Sequence, residues 1–298
     1  MNHLVIIGGG AAGMAAAAYA LSKRLSVAVI VEDLGGRAGT RQTIAPAAND
    51  EYLVGAEAAA ALTRQVAAVQ GAIATDRVLK IGPIEGGFAV ETHQHGTLTA
   101  AALVIATGAT PLPLNLPGSK KLVDHGIGYS LTTHTALLSG KRVAVVGTTR
   151  RALRGIAEMA HVAQQVLVIA PAEARANPFV QRLLARPNIT FYFGAELKQV
   201  IGTTQIERIA ILPADDELSY MRVDALFADV GLLPNTQIVR GLVALDSGGF
   251  IVVDERRATD VPGIYAAGDC TNISAEHTLA AIGDGARAAI SAYDHILG

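Results

Sequence analysis

The feature that most constrains this chain is a glycine-rich turn near its start. Residues 3–7 form an apolar run typical of a buried strand, and the sequence Gly8-Gly-Gly-Ala-Ala-Gly13 and an alanine-rich segment follow directly. This is a G-x-G-x-x-G pattern between a strand and a helix. We expect Gly8 to allow the tight turn, Gly10 to let the backbone approach a pyrophosphate, and Gly13 to let the helix pack on the strand.

The neighbours of this turn support the same interpretation. Ala11 and Ala12 begin the predicted helix, whose N-terminus would face bound phosphates. A second apolar run, Ser26 to Val31, ends in Glu32, about 20 residues after the glycines, where a carboxylate can accept hydrogen bonds from a ribose diol. Because strand, turn, helix, second strand and acid agree, the sequence predicts a dinucleotide-binding domain.

Size and composition restrict the remaining classes of protein. The 298 residues exceed what one hydrophobic core usually supports, so we expect two domains. The formal net charge is −2 and aromatic residues make up 4%, which leaves neither the basic surface nor the stacking platforms of a nucleic-acid-binding protein. No uninterrupted apolar run reaches the roughly 20 residues of a membrane span. We therefore expect no nucleic-acid partner and no membrane insertion.

Cysteine and histidine content argue against a metal centre. Cys270 is the only cysteine, so no disulfide can form within the chain and no multi-cysteine cluster is possible. We interpret this lone cysteine as a small buried side chain. His93 and His95 alternate on a predicted strand without a third ligand, so we assign them to an exposed hairpin face and predict no metal site.

The start of the chain carries an expectation about location. The sequence begins with the nucleotide-binding strand, from which we expect no signal peptide and a cytoplasmic protein.

The order of predicted elements indicates that one domain is inserted into another. Segments of alternating hydrophobicity predict an antiparallel layer at residues 78–81, 88–92 and 97–99, followed by a buried strand over 101–105. From Lys141 the pattern of strand, glycine turn and helix restarts. The predicted fold is α/β, with two Rossmann-like, three-layer nucleotide-binding domains. The predicted boundaries are residues 1–112 and 241–298 for the first domain and 113–240 for the inserted one.

The motifs together resemble the low-molecular-weight thioredoxin reductases, which are FAD-dependent pyridine nucleotide oxidoreductases. The motifs that carry the resemblance are widely separated and follow the family's order, so the resemblance covers essentially the whole chain. They are Gly8-x-Gly10-x-x-Gly13, Ala106-Thr107-Gly108, Pro262-Gly-Ile-Tyr-Ala-Ala-Gly268-Asp269 and Gly283-Asp-Gly285-x-x-Ala-Ala289.

The resemblance implies FAD as the cofactor and a homodimer formed through the FAD-binding domains. Asp269 would bind the ribitol of FAD, and the helix that begins near His277 and Thr278 would direct its N-terminus at the flavin O2 edge, where it stabilises negative charge. Arg37 would reach the pyrophosphate or the edge of the ring. The other implied FAD-site residues are Gly8, Gly10, Ala11, Ala12, Gly13, Glu32, Gly36, Thr107, Gly108 and Gly268.

The chain departs from the family at the redox-active disulfide. The C-x-x-C motif falls on Ser130-Leu-Thr-Thr133, and hydroxyls have no thiolate chemistry, so electron relay to a thioredoxin by that route is excluded. The next residue, His134, is either a proton donor near the flavin or a polar residue at a domain hinge. His277 either stabilises charge on the flavin or caps its helix. These two histidines are the candidate catalytic residues.

The second glycine motif is altered as well. Where the family has G-x-G-x-x-A, this chain has Gly147-Thr-Thr149-Arg-Arg-Ala152, which puts a β-branched side chain where backbone must approach a pyrophosphate. The family's basic pair for the 2′-phosphate of NADPH is missing, and only Arg175 is nearby. We therefore expect weak or absent NADPH binding. A rebuilt phosphate site, a docking patch for an acidic electron donor and a solvated helix face remain open for Arg150, Arg151 and Arg154.

The sequence thus predicts an FAD-dependent oxidoreductase of thioredoxin-reductase-like architecture that is not a functional thioredoxin reductase. Its flavin would exchange electrons directly with a redox partner protein of ferredoxin or flavodoxin type, or with a small molecule. Two alternatives stay open: a non-catalytic FAD-binding protein with a structural or sensing role, and an NAD(P)H-dependent ferredoxin or disulfide reductase that lacks C-x-x-C.

Overall fold

The structure is a computed structural model that describes residues 2–39, 55–131, 135, 137–214, 217–272 and 276–298. These residues form two compact units. Unit 1 contains the described residues of 2–39, 55–110 and 233–298, and unit 2 contains the described residues of 111–232. The domain boundaries expected at residues 112 and 240 stay a prediction.

Both units combine strands and helices. In chain order the strands are β1 (Asn2–Gly9), β2 (Val27–Leu34), β3 (Ile73–Thr75), β4 (Val78–Ile84), β5 (Gly87–Thr92), β6 (Thr97–Ile105), β7 (Ala109–Pro111), β8 (Ile127–Gly128), β9 (Arg142–Val146), β10 (Gln165–Ala170), β11 (Ile189–Phe193), β12 (Glu196–Gly202), β13 (Ile206–Leu212), β14 (Ser219–Arg222), β15 (Ala225–Ala228), β16 (Leu232–Pro234) and β17 (Ile264–Ala266). The α-helices are α1 (Ala11–Ser22), α2 (Gly36–Gly39), α3 (Ala56–Ala67), α4 (Arg150–Met159), α5 (Pro178–Leu183) and α6 (Thr278–Leu297). Short 3-10 helices are found at Lys120–Leu122, Ala172–Ala176, Gln237–Val239 and Gly268–Cys270.

Unit 1 is built on one sheet between two layers. The strand order is β3-β2-β1-β6-β5-β4, and β17 also pairs with β6. The pairs among β1, β2, β3, β6 and β17 are parallel, whereas β4 and β5 join by antiparallel pairing. Alternate residues of β1 face opposite sides, as expected for a strand. Leu4 and Ile6 pack with α1, α3 and α6, while Val5 and Ile7 pack with residues of β4 and β5.

One strand of this sheet is longer than the sequence predicts. The segments expected as separate strands at 97–99 and 101–105 are both part of β6. The strand stays continuous because its first half pairs with β5 and its second half pairs with β1.

Helices α1 and α6 approach closely because small residues line their contact. A Cβ atom placed on Gly285 would lie 2.0 Å from the carbonyl oxygen of Ala12, so only glycine fits there. This contact holds the N-terminal turn of α1 against α6. Both helices contribute residues to the site described below.

Unit 2 repeats the arrangement with a fully parallel sheet. Its strand order is β11-β10-β9-β15-β8. Leu153 and Ile156 of α4 and Val180 of α5 join the core on one face, and Ile209 and Ile211 of the antiparallel sheet β12-β13-β14 join the core on the other. Unit 2 lies in the chain between two parts of unit 1. The predicted α/β class, with two Rossmann-like units, is confirmed.

Within the part of the chain that the structure describes, no helix has both the length and the apolar character needed to cross a membrane.

Candidate functional site

The sheet of unit 1 has a switch point at the carboxyl ends of its strands. β1 lies between β2 and β6, so a crevice opens where the connections from these strands diverge. Gly8 lies in this crevice with a φ of +120°, and a Cβ atom on it would lie 2.2 Å from the carbonyl oxygen of Ala106. The glycine turn and the Ala106-Thr107-Gly108 turn therefore meet at one edge of the sheet.

Gly10 borders open space at the N-terminus of α1. It is the N-cap residue, with φ −80° and ψ −176°, and a Cβ atom on it would meet no atom within 4 Å. Ala11 and Ala12 form the first turn of the helix, whose leading N–H groups have no partner inside the helix and favour an anion. This geometry suits a pyrophosphate.

The loop after β2 folds back over the glycine turn. The N–H of Gly35 donates to the carbonyl oxygen of Gly9 over 3.0 Å. Gly36 has a φ of +51°, and a Cβ atom on it would lie 3.1 Å from the Cα atom of Gly10. Glu32, near the end of the same strand, is exposed. Its role as a ribose ligand stays a prediction.

Arg37 connects this loop to the turn before α6. Its Nη2 atom lies 3.5 Å from Oδ2 of Asp269, the residue implied as the ribitol ligand. Gly268, next to it, has a φ of +74°, and a Cβ atom there would lie 3.1 Å from Cβ of Ala12. The structure thus brings together motifs that are far apart in the sequence.

Two buried polar atoms at this edge lack a nitrogen or oxygen hydrogen-bond partner within the described part of the chain. One is Nη1 of Arg37. The other is the hydroxyl of Thr107, which lies beside the Cys270 thiol and makes no hydrogen bond to nitrogen or oxygen. Because buried polar groups in proteins are normally hydrogen-bonded, such atoms mark a place where a ligand supplies the partner. Together with the open space at Gly10, they show that these residues fit a bound dinucleotide such as FAD.

His277 caps the helix implied to face the flavin. Its Nδ1 atom accepts a hydrogen bond from the N–H of Leu279 over 3.2 Å, directly before Thr278 begins α6. The capping interpretation therefore matches the geometry, and a catalytic role for His277 stays a prediction.

The other candidate catalytic residue, His134, lies outside the described residues, as do Thr132 and Thr133. At the place where the resemblance puts C-x-x-C, Leu131 is 1% exposed and packs in the core of unit 2. A Cβ atom on Gly155 of α4 would lie 2.7 Å from its Cδ2 atom.

Cys270 is an inert side chain, as the sequence suggests. It is fully buried, and its thiol lies 3.4 Å from the carbonyl oxygen of Ala267. Burial raises its pKa to about 11, so the reactive thiolate is not formed near neutral pH.

Asn235 supports the site but was not predicted from the sequence. Its side-chain amide donates to the carbonyl oxygen of Thr107 over 3.0 Å, and its backbone N–H donates to the carbonyl oxygen of Gly108 over 3.0 Å. Asn235 therefore holds the turn that lies against the glycines. Its Pro-Asn sequence marks a turn, but nothing in it points to a partner so distant along the chain.

A buried ion pair behind the Gly268-Asp269 turn was also missed. Nη2 of Arg257 lies 2.5 Å from Oδ1 of Asp284, and Asp284 also accepts the backbone N–H of Gly268. Burial raises the pKa of Asp284 although Arg257 opposes that shift. The left-handed backbone of Arg257, with a φ of +64°, has no signal in the sequence.

The glycine turn of unit 2 differs in detail. Gly147 has a φ of +106°, and a Cβ atom on it would lie 2.1 Å from the carbonyl oxygen of Asp229. Thr149 is the N-cap of α4, and its hydroxyl accepts a hydrogen bond from the N–H of Ala152 over 3.1 Å. Its side chain therefore lies at the N-terminus of α4. The corresponding position of unit 1, Gly10, borders open space instead.

Arg150, Arg151 and Arg154 of α4 do not form one exposed cluster, so the prediction that grouped them at one site is corrected. Arg151 is 7% exposed and forms a bidentate ion pair with Asp229, at 2.6 and 2.8 Å. It turns inward because the Asp229 carboxylate offers both oxygens to its guanidinium. Arg150 and Arg154 are exposed.

One of the two hairpin histidines, His95, contacts a buried carboxylate. His93 and His95 are exposed, as expected, but Nδ1 of His95 lies 2.8 Å from Oδ2 of the buried Asp76. Across the described ranges, no group of three potential ligands is placed to hold a metal ion.

Comparisons with known proteins agree with this geometry. A sequence profile for the family described as "Pyridine nucleotide-disulphide oxidoreductase" matches residues 2–285. The chain is 31% identical over 99% of its length to the F subunit of alkyl hydroperoxide reductase from Xanthomonas campestris pv. phaseoli, and 29% identical over 99% of its length to an NADH dehydrogenase of Bacillus subtilis. It spans 57% and 58% of these two relatives, less than two thirds of their length.

A solved structure shows the same fold. The thioredoxin reductase of Streptococcus pyogenes is 26% identical and superposes with a TM-score of 0.83, with 100% of this chain and 98% of that chain covered. Proteins of the matched family bind FAD, the dinucleotide that the open glycine turn of unit 1 fits. The chain therefore belongs to the pyridine nucleotide-disulphide oxidoreductase family and has a thioredoxin-reductase-like fold.

Proposed function

We propose that the flavin of this protein exchanges electrons directly with a redox partner protein or a small molecule, without a redox-active disulfide and with weak or absent use of NADPH. The observation that carries the proposal is the contrast between Gly10 and Thr149. Gly10 leaves open space at the N-terminus of α1, whereas the side chain of Thr149 stands at the N-terminus of α4 and bonds to its backbone. One turn suits a pyrophosphate and the other does not.

In this proposal the chain binds and orients FAD, which supplies reversible uptake and release of electrons. The turn from Gly8 to Gly13 and the N-terminus of α1 would bind the pyrophosphate. Glu32 would bind the ribose, and Asp269 the ribitol. Arg37 would place positive charge beside the phosphates or the ring, since its buried Nη1 atom has hydrogens that it can donate to a ligand.

The remaining proposed contacts involve turns and a helix end. Thr107 and Gly108 would line the crevice opposite the glycine turn, and the hydroxyl of Thr107, which lies beside the Cys270 thiol, can donate to a ligand there. The N-terminus of α6, with His277 and Thr278, would stabilise negative charge at the flavin O2 edge through its dipole. His134, if it lies near the flavin, would donate a proton.

The absence of a disulfide relay is supported by the residues of this chain. Its single cysteine, Cys270, is buried with a raised pKa. Electrons would therefore pass to an acceptor without a thiol intermediate within these 298 residues. A ferredoxin or flavodoxin type protein, or a reduced organic substrate, would serve as donor. The proposal includes a cytoplasmic location and a homodimer.

A second candidate is an NADH-dependent reductase. It is favoured by the 29% identity to a protein named NADH dehydrogenase. It requires a nicotinamide cofactor to reach the flavin despite the altered turn at Thr149. This candidate would use the exposed Arg150 and Arg154 of α4 to bind the cofactor phosphates, because the guanidinium of Arg151 is paired with Asp229.

Anaerobic reduction of the purified flavoprotein tests both candidates. The absorbance of the flavin is followed after addition of NADPH, NADH or chemically reduced ferredoxin in separate samples. We expect fast, stoichiometric bleaching by reduced ferredoxin and slow or no bleaching by either nicotinamide. Fast bleaching by NADPH contradicts the proposal, and fast bleaching by NADH alone selects the second candidate. If neither these donors nor a panel of reduced organic substrates bleaches the flavin while dithionite does, the protein is a non-catalytic FAD-binding protein and the proposal is wrong.

A further inference from the structure

The two glycine turns of this chain can be compared position by position, because each follows the central strand of a parallel sheet. Gly8 and Gly147 both have a positive φ, +120° and +106°. A Cβ atom on either would meet the carbonyl oxygen of the residue after the neighbouring strand, Ala106 at 2.2 Å and Asp229 at 2.1 Å. These two contacts align the turns without reference to any other protein.

Counting from these anchors reveals three coupled differences. The positions of unit 1 hold glycine or alanine, whereas those of unit 2 hold polar or charged residues. The matched pairs are Gly10 with Thr149, Ala12 with Arg151, and Ala106 with Asp229.

The three residues of unit 2 bond to one another. Nε and Nη2 of Arg151 lie 2.6 and 2.8 Å from the two carboxylate oxygens of Asp229. The hydroxyl of Thr149 donates to Oδ1 of Asp229 over 3.0 Å while it accepts the N–H of Ala152. A single hydroxyl therefore links the carboxylate to the first turn of α4.

The carboxylate lies where a Rossmann-like unit binds its nucleotide. β9 lies between β10 and β15, so the switch point of this sheet is between the carboxyl ends of β9 and β15. Asp229 follows β15 directly and is 2% exposed. A helix N-terminus at a switch point favours an anion, and here the chain supplies that anion itself.

We propose that Asp229 is a built-in anion that takes the phosphate position of unit 2, and that with Thr149 and Arg151 it determines the exclusion of pyridine nucleotides. The inference rests on the proposed weak use of NADPH and names the residues responsible. A phosphate brought beside this carboxylate would meet like charge in a buried setting. Two nitrogens of the guanidinium that could neutralise the phosphate, Nε and Nη2 of Arg151, are already bonded to the two carboxylate oxygens.

The test restores the residues of unit 1 in unit 2. The triple variant Thr149→Gly/Arg151→Ala/Asp229→Ala is prepared as the FAD-loaded protein, and NADH and NADPH binding are measured by calorimetry. We expect the triple variant to bind at least one of the two nucleotides about tenfold or more tightly than the unchanged protein. The double variant Arg150→Ala/Arg154→Ala changes exposed arginines of the same helix and should give no gain.

A second variant guards against loss of folding. Removing Asp229 alone would leave the Arg151 charge buried and unpaired, which destabilises proteins strongly. The double variant Arg151→Gln/Asp229→Asn removes both charges together and puts two amide side chains in their place, so it leaves no buried charge unpaired. Circular dichroism and the flavin spectrum verify that each variant is folded, and the shift in Tm on addition of NADH gives an independent measure of binding.

The outcomes separate the inference from the proposed function. Tight nucleotide binding by the unchanged protein contradicts the proposed function and the inference together. If the unchanged protein does not bind and neither the triple variant nor Arg151→Gln/Asp229→Asn gains affinity, the function stands and the inference is wrong. A gain in either variant, absent in the exposed-arginine control, supports the inference.

Discussion

The guanidinium of Arg37 lies 3.5 Å from the carboxylate of Asp269, which joins the loop after β2 to the turn before α6. The two residues are far apart in sequence, and each belongs to a separate motif at the proposed FAD site. The pair is loose for an ion pair, and a second guanidinium nitrogen, Nη1, is buried without a partner in the described part of the chain. Arg37 is therefore placed to bind an additional anionic group while it orients Asp269.

Replacing Arg37 should weaken FAD binding more than it weakens folding. We expect Arg37→Met to raise the dissociation constant for FAD by about tenfold or more, since charge-assisted hydrogen bonds contribute about 1.5–3 kcal/mol. The constant is measured by fluorescence titration of the deflavinated protein.

Arg64→Met is the matched control, because Arg64 is an exposed arginine of α3 in the same unit. It should leave the affinity unchanged. If the Arg37→Met variant binds FAD as tightly as the unchanged protein, Arg37 does not contribute to FAD binding.

Gly10 and Gly13 belong to one motif but should respond differently to alanine. A Cβ atom on Gly10 meets nothing within 4 Å, and its φ of −80° suits any residue, so Gly10→Ala should fold with an unchanged Tm in the deflavinated protein. The added methyl group points into the space where backbone should approach the pyrophosphate, so FAD affinity should fall by about tenfold or more.

Gly13→Ala provides the contrast. A Cβ atom there would lie 1.9 Å from the carbonyl oxygen of Gly8. The Gly13→Ala variant should therefore have a lower Tm even without FAD. Thermal unfolding of both deflavinated variants, followed by circular dichroism, measures the difference. If Gly10→Ala retains full FAD affinity, the pyrophosphate lies elsewhere.

The sequence is most informative where chemistry depends on residues that are adjacent in the chain. The turn from Gly8 to Gly13 predicts its own geometry, because a tight turn, an open N-cap and a close helix contact each need a glycine at a fixed spacing. The same reasoning finds Thr149 as an obstacle in the second turn.

Contacts between residues that are distant in the sequence cannot be predicted in this way. Arg151 and Asp229 form a pair only because parallel pairing puts the ends of β9 and β15 side by side. From sequence alone, Arg151 belongs with the two exposed arginines beside it. Asn235 escapes notice for the same reason, since its partner Thr107 lies in a distant segment.

His277 should act as a helix cap that asparagine can replace. The His277→Ala variant loses the acceptor for the N–H of Leu279, so its free energy of unfolding should fall by about 0.5–1 kcal/mol. His277→Asn keeps a side-chain acceptor at the N-cap and should retain the stability of the unchanged protein. Urea unfolding of the FAD-loaded protein measures both variants. Equal losses in the two variants would contradict the capping role.

Asp76 should make the protein sensitive to acid. Its buried carboxylate accepts the backbone N–H groups of Arg77, Gln94 and His95 and the Nδ1–H of His95. Burial raises the pKa of Asp76, but these hydrogen bonds outweigh it and hold the pKa far below its ordinary value of 3.8. Because the pKa is lower in the folded state, the ionised carboxylate stabilises the protein above that ordinary value, and the contribution is lost as the pH falls.

The Asp76→Asn variant should therefore be less stable than the unchanged protein at pH 7, and its Tm should decline less between about pH 5 and pH 2. Glu85→Gln is the matched control, because Glu85 is an exposed acid at the turn between β4 and β5 and should leave the pH profile unchanged. The profile is recorded by thermal unfolding at a series of pH values. An Asp76→Asn profile parallel to that of the unchanged protein would show that Asp76 does not set the acid sensitivity, because the linkage requires the two curves to converge as the carboxylate becomes protonated.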